Sequence, residues 1–106
     1  MSYRVVYSRQ VRADLRDIYR FIEDREGNEI ADRTLAGLEA CTQGLDRFPL
    51  RGHRVPEILL MGHDYHEVHC GPYRIIYQVD GKDVRVLLAA DGRRDIRSLL
   101  AKRILR

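Results

Sequence analysis

The stretch from Tyr73 to Ala90, YRIIYQVDGKDVRVLLAA, constrains the fold more than any other part of the chain. Two runs of β-branched, aromatic and aliphatic residues are broken only by Asp80-Gly81-Lys82, a connection so short that the flanking strands must pair antiparallel. Tyr73, Ile75, Tyr77 and Val79 alternate, so they share one face of the sheet and read as core rather than as a platform for stacking bases. A hairpin with an apolar face is marginal in water by itself. The rest of the chain must therefore bring further strands and a covering layer.

Tyr3 to Tyr7 reads as a short strand, and Ser8 as the N-cap of a helix in which Val11, Leu15, Ile18 and Ile22 form one apolar stripe among charged neighbours. Gly27 supplies the C-terminal turn of that helix and Asn28 the cap of a second. The second helix is expected to bury Ile30, Thr34, Leu38, Cys41, Leu45 and Phe48 and to end at Phe48-Pro49. A loop with Gly52, His53, Arg54 and Pro56 follows. Residues 58–61 make a weak strand signal and Tyr65 to Cys70 a stronger one. A last helix starts near Asp95, its N-cap, after a turn at Gly92, and turns Ile96, Leu99, Leu100, Ile104 and the stem of Arg103 inward. The order β-α-α-β-β-β-α, with one further strand optional, predicts an α+β fold. An antiparallel sheet carries an N-terminal helical hairpin on one face and a short C-terminal helix.

The 106 residues suffice for one domain, residues 1–106, and are too few for an enzyme that cradles a cofactor. No segment approaches the roughly 18 apolar residues of a membrane span, and the start does not resemble a signal peptide, so the expected compartment is the cytoplasm. Cys41 and Cys70 form no CxxC motif and are expected as two reduced, mostly buried thiols. His63, His66 and His69 invite a metal reading, but His66 and His69 would point to opposite faces of a strand, so no metal site is expected. The net charge of +3 is uneven: from Asp91 onward six basic residues stand against two acids, which leaves the preceding chain slightly negative. The basic excess, Arg93, Arg94, Arg97, Lys102, Arg103 and Arg106, suits an anionic surface or an acidic partner.

The ordered set of SRQVRADLRDIYRFI, FPLRG, GHDYHEVHCG, YRIIYQVDGKDVRVL and DGRRDIRSLLAKRIL resembles the RelE/ParE superfamily of toxins from type II toxin–antitoxin pairs. The ending, an Arg-Asp loop before a Leu-rich helix with Lys-Arg, is more similar to the ParE-like branch. The resemblance implies a toxin used in plasmid stabilisation, one that inhibits DNA gyrase, blocks replication and does no covalent chemistry of its own. It also implies a cognate antitoxin whose C-terminal segment folds onto the groove between helical hairpin and sheet, in a heterotetramer or larger complex. On this reading the target-binding residues are Arg93, Arg94, Arg97, Lys102 and Arg103.

The alternative implied by the RelE-like branch is a ribosome-dependent mRNA endoribonuclease that halts translation. Its candidate residues are Arg74 as a phosphate-binding arginine, Glu57 as a carboxylate base and Arg94. The terminal His or Tyr of such enzymes is replaced here by Arg93-Arg94-Asp95, and an arginine stabilises a phosphate without donating its proton near neutral pH. Arg74 has a structural reading too, as the ion-pair partner of Glu67 or Glu57.

Overall fold

The computed structural model describes residues 2–50, 52–55 and 65–104. Strand β1 (Arg4–Tyr7) leads into helix α1 (Arg9–Glu26), helix α2 (Asn28–Gln43) and a 3-10 turn at Gly44–Asp46. Strands β2 (His53–Arg54), β3 (His66–Cys70), β4 (Tyr73–Asp80) and β5 (Asp83–Asp91) follow, then helix α3 (Ile96–Ile104). The five strands form one sheet in the order β1-β5-β4-β3-β2. The weak strand signal at 58–61 lies outside the described residues. The fold is α+β, as expected.

The sheet is mixed rather than wholly antiparallel, because β1 runs parallel to β5. Short turns force antiparallel pairing along the β3-β4-β5 meander, where Gly71 (φ 61°) and Gly81 (φ 60°) take left-handed turn positions. A strand joined through a helical hairpin escapes that constraint. Ser8 connects the two regimes: its N–H donates to Val86 O at 3.1 Å, and its Oγ accepts from Val11 N at 3.0 Å as the cap of α1.

The hairpin from α1 to α2 turns on one residue. Gly27 adopts φ 92°, ψ 171°, a region open essentially to glycine, and caps both helices. Asn28 is therefore the first residue of α2 rather than its cap. Helix α2 ends at Gln43, earlier than the Phe48-Pro49 signal, because the chain tightens at Gly44 into the 3-10 turn. That tightening takes Phe48 off the buried stripe, and Phe48 is 67% exposed. Ile30 is also exposed, while Ala31, Leu38, Thr42 and Leu45 do the burying.

A bulge divides the core. Ile76 pairs with Leu88 and Tyr77 with Val86, so Leu87 is the extra residue and the face parity of β5 flips there. Ile75, Tyr77, Val84, Val86 and Ala89 pack with Val11 and Leu38 of the helical hairpin and with Leu45 of the 3-10 turn. Ile76, Leu88 and Ala90 pack with Val55, Tyr65, Ile96 and Leu100 in a second cluster that includes α3. Gly52 is required where the loop touches the sheet: its N–H donates to the buried Tyr77 hydroxyl at 3.1 Å, and a Cβ there would lie 2.3 Å from Glu67 O.

The two cysteines are not reduced thiols. They form a disulfide that ties α2 to the end of β3, with Cα atoms 6.3 Å apart. Their separation of 29 residues hid the pairing, since only the packing of α2 on the sheet brings them together.

Candidate target-binding site

Strand β1 stops opposite Val86 while β5 runs on to Asp91, so among the described residues the last half of β5 has an edge with no neighbouring strand. Side chains cover part of that edge. Asp14 of α1 accepts the Ala89 N–H at 3.0 Å, and Arg103 of α3 donates to Leu87 O at 2.7 Å. The two side chains meet as a bidentate pair, with Arg103 Nη2 2.6 Å from Asp14 Oδ1 and Nη1 2.8 Å from Oδ2. A carboxylate and a guanidinium thus satisfy backbone groups that a neighbouring strand would otherwise take. Beyond them lies an open groove of about 630 Å³ between α1 and α3, whose walls include Ile18, the exposed Phe21, Leu99, Arg93 and Arg94.

The arginine loop stands at the mouth of this groove and is anchored by its backbone. Gly92 N–H donates to Pro72 O at 2.8 Å, and a Cβ on Gly92 would press to 3.3 Å from the same oxygen. Arg94 N–H donates to Asp91 O at 3.0 Å. The Asp91 carboxylate accepts from Arg93 N at 2.9 Å and from Arg93 Nε at 3.2 Å, and these bonds hold its pKa below the ordinary value. Asp95 caps α3 as expected, accepting from Ser98 N at 3.1 Å and Ser98 Oγ at 2.9 Å.

Of the five residues singled out for target binding, four are displayed. Arg93 is paired with Asp91 yet its side chain is 92% exposed. Arg94, Arg97 and Lys102 are exposed, and among the described residues none of them enters a side-chain ion pair. Arg103 differs, because its guanidinium is spent on Asp14 and Leu87 O. Neither Asp14 nor the β5 edge was visible in sequence: the partners of this ion pair are 89 residues apart.

The ribonuclease candidates fall elsewhere. Arg74 Nε donates to Glu67 Oε2 at 2.6 Å, with the Glu67 side chain 2% exposed. Of the two carboxylates weighed as its partner, Glu67 is the one observed; Glu57 lies outside the described residues. His69 Nε2 sits 3.4 Å from the other Glu67 oxygen, so Glu67, His69 and Arg74 form one cluster on the face opposite the helical hairpin. His66 points the other way and stacks on Tyr77, centroids 5.7 Å apart. His63 lies outside the described residues, and among the described ones no three potential ligands gather as a metal site.

This geometry meets its parallels in known proteins. Residues 5–96 match the family model described as ParE toxin of type II toxin–antitoxin system, parDE. Toxin ParE3 of Caulobacter vibrioides is 26% identical over 107 residues, spanning 94% of this chain and 97% of the relative. The fold is that of the chromosomal ParDE system of Pseudomonas aeruginosa (TM-score 0.70, 19% identity, 84% of this chain and 95% of that one). It is likewise that of the RelBE2 toxin–antitoxin complex of Mycobacterium tuberculosis (TM-score 0.65, 24% identity, 86% and 92%). With the family model spanning most of its length, the chain belongs to the ParE toxin family of type II toxin–antitoxin systems.

Proposed function

We propose that this toxin acts by binding DNA gyrase and blocking replication, with residues 1–106 working as one domain in the cytoplasm and without covalent chemistry of its own. The observation that carries this reading is the division among the arginines. Arg93, Arg94 and Arg97 are presented together on an anchored loop and the first turn of α3, whereas Arg74, the phosphate-binding candidate, is engaged by a buried carboxylate. A rigidly held, exposed cationic loop suits recognition of an anionic surface. A cognate antitoxin occupies the groove between α1 and α3, where the exposed Phe21 and the apolar walls at Ile18 and Leu99 receive an extended or helical segment. The complex is a heterotetramer or larger.

One observation favours the endoribonuclease reading as the alternative. Gly92 packs beside the Arg74 side chain, so the arginine loop and the Glu67–His69–Arg74 cluster are neighbours, and His69 adds an imidazole to that cluster. Pulse-labelling separates the two. Early loss of DNA synthesis in cells, together with double-strand cleavage by gyrase stimulated by purified toxin, is the expected outcome. Arrest of translation within minutes with cleaved messages would replace it by the alternative.

A further inference from the structure

The Cys41–Cys70 disulfide lies outside the groove but not apart from the arginine loop. Cys70 ends β3, pairs with Tyr73 across the hairpin, and is followed by Gly71 and Pro72. Pro72 O is the acceptor that anchors Gly92, and Tyr73 pairs with Asp91, whose carboxylate holds Arg93. A short path therefore runs from α2 through the disulfide and the β3–β4 turn into the arginine loop. The turn is gripped from both sides, by a covalent bond to the helical hairpin and by a hydrogen bond from the loop it supports. Both cysteines are half-buried rather than sealed in the core, so a small thiol has access to the bond.

We propose that Cys41–Cys70 is a thiol–disulfide exchange site, and that its redox state sets how firmly the arginine loop is held. The reacting partner is a low-molecular-weight thiol of the glutathione class. Its thiolate attacks one protein sulfur, forming a mixed disulfide and releasing the other protein sulfur as a thiolate. A second small thiolate then attacks the mixed disulfide. Two protein thiols and one small-molecule disulfide result; two electrons pass to the protein, and the protons of the two small thiols end on Cys41 and Cys70. Cut from α2, the β3–β4 turn loses one of its two anchors, and the Gly92–Pro72 hydrogen bond opens more often.

The test uses the intact chain in glutathione buffers running from oxidised to reduced. Thiol alkylation reports the state of the bond, and hydrogen exchange resolved to single amides reports order. On reduction, exchange at Gly92 is expected to rise about tenfold more than at Ala89, which is held by Asp14 within β5 and reports the loss of stability of the whole fold. Cys41→Ser and Cys70→Ser variants should show the reduced pattern in every buffer. Unchanged exchange at Gly92 overturns the proposal. So does an equal rise at Gly92 and Ala89, which marks general loosening, or a pair of thiols that never oxidises at any glutathione ratio. The prediction is independent of which target the toxin binds.

Discussion

Arg74 and Arg103 on one side, and Arg93, Arg94 and Arg97 on the other, are the same residue type put to opposite uses. The first two direct their guanidinium groups at carboxylates with little solvent access, Glu67 and Asp14, at 2.6 Å in each case. The other three stand on or beside a loop whose backbone is fixed while the side chains reach into water. A count of basic residues near the C-terminus puts Arg103 with the displayed set. The fold removes it, because α3 lies where β1 has ended and the open edge of β5 needs a donor for Leu87 O. Charge that completes the backbone hydrogen bonding of a fold is unavailable to a partner; charge that the fold holds up but does not use is what a partner meets.

The contrast predicts effects of very different size. Glu67→Ala leaves Arg74 half-buried without its carboxylate and should lower stability by about 3 kcal/mol in chemical unfolding. Glu67→Gln, which keeps one acceptor, should lose less. Reduction of Cys41–Cys70 should cost a similar amount, about 3 kcal/mol, from the loop entropy restored to the unfolded chain. Arg103→Met keeps the stem of the side chain but leaves Asp14 without its cation and Leu87 O without its donor, and should cost about 2 kcal/mol. A loss below about 0.5 kcal/mol at Arg103 would return it to the displayed set.

The smallest effect concerns acid. Arg93 lowers the pKa of Asp91, so the stability that this contact contributes is fully present above the ordinary aspartate value of 3.8 and is lost as pH falls through the lower folded value. Between about pH 5 and 8 the loop should therefore keep its geometry, as followed by the chemical shift of the Arg93 amide. A midpoint at or above 3.8 in that titration would mean that Asp91 is not held by Arg93.

What was legible in the sequence was what depends on neighbours. The hairpin at Gly81, the Val11–Ile22 stripe, the Ser8 and Asp95 caps and the turn at Gly92 all rest on local chemistry, and each stands where expected. The misreadings needed distant geometry. The parallel docking of β1, the bulge at Leu87 and the meeting of Cys41 with Cys70 follow from how the helical hairpin lies on the sheet. For the site, sequence picked out the arginine loop but could not tell Arg103 from its neighbours, since Asp14 looks like any other charged residue on the outer side of α1. Nor did it place His69 beside Glu67, because two alternate residues on a strand carry no mark of a shared partner.

Replacing Arg93, Arg94 and Arg97 together with alanine, and measuring growth arrest and thermal unfolding on the same variant, tests the division most directly. Exposed charges of this kind change stability by less than about 0.5 kcal/mol each, so the account predicts a melting temperature within a few degrees of the parent and no growth arrest. A normally folded triple variant that still stops growth would contradict it, and would place the working surface at Arg74, His69 and Glu67 instead.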